Sequence, residues 1–163
     1  MKLFILFLTS LLLAMSSNAQ PDSLKRITEI NEQVWKPFII ALTSRNNKDL
    51  KKLHSKQVTR VEIDNNLVKD YEKYFPENNA PPMRKDSLKF ELRFDKRIGR
   101  DDREWESGFY KGTVMRAGNI NRTYFGRFYV LLWKENGIWK IVLDADTHNG
   151  ATEEAFNSAA AMD

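Results

Sequence analysis

The chain has 163 residues, carries 26 Lys and Arg against 22 Asp and Glu, and contains no cysteine. That composition excludes disulfides, thiolate metal sites, cysteine nucleophiles and a lipid-modified cysteine at a signal junction. The net charge of +4 is interleaved along the chain, with Lys51-Lys52 and Arg84-Lys85 as isolated pairs, so no nucleic-acid partner is expected.

Residues 1–19 read as an export signal. Lys2 gives a short basic start, Leu3 to Ala14 is apolar apart from Thr9 and Ser10, and Ser17 and Ala19 form a small-residue cleavage site. A membrane span needs about 18 or more apolar residues, so the mature chain is expected to carry none and to be periplasmic or extracellular. Residues 20–163 are then one domain, with a core over about 24–148 and a short C-terminal tail. Ten Phe, five Tyr and four Trp can build that core without disulfides, since each buried ring removes roughly 150–250 Å² from water.

Asp22 is placed to cap a first helix, in which Leu24, Ile27, Ile30, Val34, Phe38 and Leu42 recur at helical spacing, with Trp35 and Ala41 widening the stripe. Pro37 falls inside this run and predicts a kink or break, because its ring clashes with the carbonyl of Gln33. A short helix is expected over Lys48 to His54, a strand over Val58 to Ile63, and a turn at Asp64-Asn65-Asn66. Leu67, Tyr71, Tyr74 and Phe75 suggest a further short helix, followed by the loop Pro76 to Pro82, a candidate lid. From Leu88 the period becomes two: Leu88, Phe90, Leu92 and Phe94 alternate with charged residues. Glu104 to Met115 is a second long strand, interrupted by Gly108 and Gly112, which suggest a bulge or bend. The tail holds one helical turn around Ala155-Phe156, and its last five residues look loose.

The strongest local signal is Asn136-Gly137 between two aromatic and β-branched runs, a two-residue hairpin turn. Counting outward pairs Glu135 with Ile138, Leu132 with Ile141, Val130 with Leu143 and Phe128 with Ala145. The opposite face then pairs Trp133 with Lys140, Leu131 with Val142, Tyr129 with Asp144, Arg127 with Asp146 and Phe125 with His148. Helices followed by four consecutive strands indicate an α+β fold, a curved antiparallel sheet cupping helices.

This order resembles the nuclear transport factor 2-like superfamily, in its SnoaL-like and ketosteroid-isomerase-like branch. The resemblance rests on Trp35, Phe38 and Ala41-Leu42, on Asn47-Lys48-Asp49 with Leu50 and Leu53, and on Gly108-Phe109-Tyr110. It continues through Tyr124-Phe125-Gly126-Arg127-Phe128 and Lys134 to Ile141. It implies a cone-shaped fold with a pocket, often dimeric through the outer sheet face, and it identifies no catalytic residue.

Arg93 and Asp95 offer an Arg-x-Asp grouping, but alternation places them with Glu91 and Arg97 opposite the apolar face, as a solvated ladder. His54 is expected to be solvated. His148 shares a strand face with Asp144 and Asp146, yet these three span ~13 Å at ~3.3 Å per residue, so no metal site is expected. No cofactor is implied, and Asn121-Arg122-Thr123 matches a glycosylation acceptor by chance. Arg127 and Asp146 are expected to form a structural cross-strand ion pair.

The function expected is an exported domain with an apolar pocket and a ligand-binding or interaction role. The alternative is a small isomerase, dehydratase or hydrolase acting in the cone. The ligand-binding candidates are Trp35, Phe38, Tyr71, Tyr74, Phe128 and Trp139, with Tyr129 and Asp144 as polar groups. The expected guest is a flat apolar molecule, sterol-like or polyketide-like. The face of Tyr129, Leu131, Trp133 and Val142 is the expected homodimer surface.

Overall fold

The computed structural model describes residues 19–77 and 86–162. The predicted signal segment falls outside them except at Ala19, where the first helix begins, and so does most of the Pro76–Pro82 loop. No described helix is long and apolar enough to cross a membrane.

Helix α1 (Ala19–Ile30) runs into a π-helical turn (Asn31–Trp35) and then α2 (Lys36–Thr43). Pro37 explains the turn. The wider π ring, closed by Lys36 N–H on the Asn31 carbonyl, makes room ahead of a residue that can donate no hydrogen bond and crowds the preceding turn. The helix deforms without breaking, and Trp35 points into the core, 2% exposed. Helix α3 (Asn47–Leu53) is capped by Asn46, whose side chain accepts from Asp49 N–H at 3.1 Å. His54, expected to end this helix, instead opens strand β1 (His54–Glu62).

The segment expected to be one helix from Leu67 divides into strand β2 (Leu67–Lys69) and a single turn α4 (Tyr71–Tyr74), capped by Asp70. Lys69 and Arg60 pair across the β1–β2 hairpin, so hairpin pairing overrode a weak helical spacing. The meander follows as expected: β3 (Asp86–Arg100), β4 (Arg103–Arg116), β5 (Asn119–Glu135) and β6 (Ile138–Thr147). Helix α5 (Glu153–Ser158) and strand β7 (Ala160–Ala161) close the described chain. The tail is therefore not loose: Ala160 and Ala161 pair with Phe94 and Arg93.

The seven strands run in the order β2-β1-β6-β5-β4-β3-β7, with β1 parallel to β6 and all other neighbours antiparallel. The concave face packs on the helices through Trp35, Leu92, Phe94, Phe128, Leu132 and Ile141. On the convex face, Phe156 of α5 packs with Phe109 and Phe125.

Two bulges break the simple alternation. In β3 the pairing with β4 skips Asp95. Arg97, expected outside with Arg93, consequently turns inward and faces Glu106. In β6 the pairing with β5 skips Val142. Trp133–Lys140 and Leu132–Ile141 pair as counted from the turn, but beyond the bulge Val130 faces Asp144 and Phe128 faces Asp146. Tyr129 pairs with Ala145 and Arg127 with Thr147, so the expected Tyr129–Asp144 and Arg127–Asp146 pairings are corrected. One inserted residue moves every later side chain to the other face.

Candidate functional site

The register shift puts Asp144 and Asp146 on the inner face of β6, where they border a cavity of about 220 Å³ between α2 and the sheet. Trp35, Phe38, Phe90, Leu92 and Phe128 give it apolar walls. Tyr110 and Tyr124 complete it because each ring lies over a glycine of the neighbouring strand. A Cβ on Gly126 would sit 2.0 Å from the Tyr110 ring, and one on Gly112 would sit 2.1 Å from Tyr124. These glycines, in register with the two tyrosines, let aromatic rings lie flat across the sheet.

The polar wall is a paired network. Arg60 reaches inward from β1, donating from Nη1 to Asp144 Oδ1 at 3.0 Å and from Nη2 to Asp146 Oδ1 at 2.5 Å. The Tyr74 hydroxyl donates to Asp144 Oδ2 at 2.7 Å, and the Tyr110 hydroxyl to Asp146 Oδ2 at 3.1 Å. Behind Asp144 stands His54, its side chain fully buried. Nδ1 lies 2.9 Å from the Leu50 carbonyl, which can only accept, so Nδ1 carries a proton. Nε2 is 3.5 Å from Asp144 Oδ2, a long contact without hydrogen-bond geometry.

Burial works to raise the Asp144 carboxyl, but contact with His54, the Arg60 guanidinium and the Tyr74 hydroxyl pull it down to about 2. Burial likewise opposes the charge on Arg60, and the carboxylate of Asp144 overcomes it, so the guanidinium holds its proton more firmly than usual. Burial, reinforced by Asp144, raises the Tyr74 hydroxyl well above its ordinary value. Burial and the charge of Asp146 raise Tyr110 in the same way.

A second buried carboxylate lies behind the apolar wall. Glu106 accepts from Trp35 Nε1 and, at 2.7 Å, from Arg97 Nε, and Arg97 also donates to Asn31 Oδ1 at 2.8 Å. Burial pushes Glu106 up to about 6 against the pull of Arg97. It does not line the cavity. Trp35, which does, also holds Glu106.

Of the predicted ligand residues, Trp35, Phe38, Tyr74, Phe128 and Asp144 come together around this cavity. Trp139 is buried beside it, donating its indole N–H to Glu29 at 3.3 Å. Tyr71 is buried elsewhere, with Lys56 Nζ 4.0 Å from its ring centroid. Tyr129 lies on the convex face, 6.3 Å from Trp105 between ring centroids. The expected Arg127–Asp146 ion pair does not form: Arg127 bridges Asp95 at 2.7 Å, and Asp146 takes Arg60. The Arg93–Asp95 ladder is structural rather than solvated, since Arg93 donates to the carbonyls of Asn157 and Ala159 and holds the C-terminal turn. His148 is exposed and contacts Asp64 at 3.0 Å, while His54, expected in solvent, is buried. No group of three or more His, Cys, Asp or Glu among the described residues could hold a metal ion.

Sequence reasoning missed Arg60, His54, Tyr110 and Tyr124. The Tyr-over-Gly pairs were within reach, because Gly112 and Gly126 sit one strand away from the tyrosines they accommodate. Arg60 was not, since its strand joins the sheet in parallel across a long connection.

No protein-family model matches the sequence, and no curated protein matches it. Solved structures do match. An NTF2-like protein of unknown function from Pseudomonas putida aligns at TM-score 0.55 and 11% identity, over 77% of this chain and 87% of that one. A candidate ketosteroid isomerase from Shewanella frigidimarina aligns at TM-score 0.55 and 14% identity, over 74% and 97%. A candidate aromatic ring hydroxylase from Novosphingobium aromaticivorans aligns at TM-score 0.58 and 11% identity, over 81% and 96%. At these identities the likeness is one of fold. The protein has the NTF2-like α+β cone: helices laid in the concave side of a curved, unclosed, mostly antiparallel sheet.

Proposed function

We propose that this chain is an exported binding protein for a small, flat, mainly apolar molecule held in the cone. The observation that carries this reading is the aromatic cavity of about 220 Å³ with its single polar wall. Its size selects the guest. A cavity of ~150 Å³ takes benzene, and drug-sized ligands occupy roughly 300–1,000 Å³. One or two fused rings match this volume, a smaller guest than the sterol-like or polyketide-like one expected from the sequence. A catalytic reading finds little support. A general base works best with a pKa near the working pH, whereas Asp144 is pulled down to about 2.

Thermal-shift measurements with indole, naphthalene and a sterol test the reading. The bicyclic compounds should raise the melting temperature and the sterol should not. If no compound of one or two rings does so, the binding role falls. Export is part of the proposal and requires secreted material whose intact mass corresponds to a chain starting at Gln20. Association through the uncovered half of the convex face, around Trp105, Tyr129, Leu131 and Trp133, completes it. Light scattering at micromolar concentration should give twice the monomer mass.

A further inference from the structure

The polar wall of the cavity is rich in acceptors. The hydroxyl protons of Tyr74 and Tyr110 are spent on Asp144 and Asp146, and Arg60 directs one nitrogen at each carboxylate. A carboxylate offers about four lone-pair sites, so both aspartates keep acceptor capacity, as do the two phenol oxygens. Two carboxylates, Asp144 and Asp146, border the cavity beside one guanidinium, Arg60. The remaining walls are aromatic faces, including Tyr110 stacked on Phe90 with centroids 5.3 Å apart and Tyr124 at 6.3 Å from Tyr110. Ring faces carry negative quadrupole charge and attract cations within about 6 Å. Arg122, 5.0 Å from the Tyr124 centroid, belongs to the exposed end of β5 and does not line the cavity.

Taking the cone as a binding cavity, we infer that its ligand is a compact monocation, an arylalkyl amine whose ammonium group donates to Asp146 and Asp144 while its ring lies among Trp35, Phe38 and Phe90. The carboxylates of the polar wall and the aromatic lining are separate observations, and both favour the same ligand chemistry. Asp146 is the more accessible of the two carboxylates, its side chain 24% exposed against 11% for Asp144.

The test compares three ligands of nearly equal shape on the folded chain by calorimetric titration: phenethylamine, 2-phenylethanol and phenylacetate. The amine should bind roughly tenfold or more tightly than the alcohol, the margin of one charge-assisted hydrogen bond, and phenylacetate should bind most weakly. Asp146→Asn should collapse the amine-to-alcohol ratio towards one. Tyr110→Phe keeps Asp146 and removes a competing donor, so it should widen that ratio, and it reports even if Asp146→Asn fails to fold. Equal affinity for amine and alcohol, or a preference for phenylacetate, overturns the inference while leaving the cavity reading in place. If none of the three binds, both fall.

Discussion

The two halves of the β5–β6 hairpin both carry aromatic and branched residues and have opposite outcomes. Near the turn, from Leu132–Ile141 to Glu135–Ile138, the strands pair as a plain count from Asn136-Gly137 requires. Beyond Val142 every pair is displaced by one, and Asp144 and Asp146 enter the cone instead of facing outward. The near half is held by local turn chemistry: Asn136 and Gly137 both adopt positive φ, 51° and 83°, as a type I′ turn demands. The far half is held by tertiary partners, above all Arg60 of β1. Bulge and ion pair go together, because two carboxylates on the inner face require a counter-charge there. The same pattern recurs in β3, where the bulge at Asp95 turns Arg97 inward to meet Glu106.

Breaking the far half should have the largest effect. Arg60→Met leaves Asp144 and Asp146 without their counter-charge and should cost about 3–5 kcal/mol at neutral pH, read by urea denaturation. Part of the loss should return on acidification, as the uncompensated carboxylates protonate. Leu132→Ala tests the near half. Leu132 is fully buried, and its truncation should cost about 2–5 kcal/mol, independently of pH. A near-half variant with the pH response of Arg60→Met would contradict the division between the halves.

The pH profile sharpens the contrast further. The Asp144 carboxyl lies below its ordinary 3.8, at about 2. Its stabilisation is present above pH ~4 and is lost as the pH falls from ~4 to ~2, on the order of 2 kcal/mol. Glu106 has the opposite sign. Its carboxyl is raised from 4.5 to about 6, so its contribution is full below pH ~4.5 and declines as the pH rises through ~6. The joint contribution of these two groups should therefore be greatest near pH 4–5, read in a thermal series as the difference between the parent and the two variants. Asp144→Asn should flatten the acid limb and Glu106→Gln the limb above it.

The smallest effect belongs to the turn. Gly137→Ala meets no neighbouring atom, and only the positive φ of 83° opposes it. A loss of about 1 kcal/mol is expected, with cavity binding unchanged.

Residue pattern alone determined much of this protein. The period of two from Leu88, the Asn136-Gly137 turn and the helical stripe from Leu24 to Leu42 specify helices packed on a meander, because local propensity and burial agree there. The same pattern placed Trp35, Phe38 and Phe128 on the inward-facing sides of their elements. Tertiary structure decided the polar wall. Alternation is a two-state count, and one bulged residue inverts it for all that follows, so the faces of Arg97, Asp144 and Asp146 could not be read from spacing. Arg60 and His54 come from a strand that joins β6 in parallel from far along the chain. Their contact with Asp144 exists only once β1 has docked beside β6, at a site too dry to leave its charges unmatched.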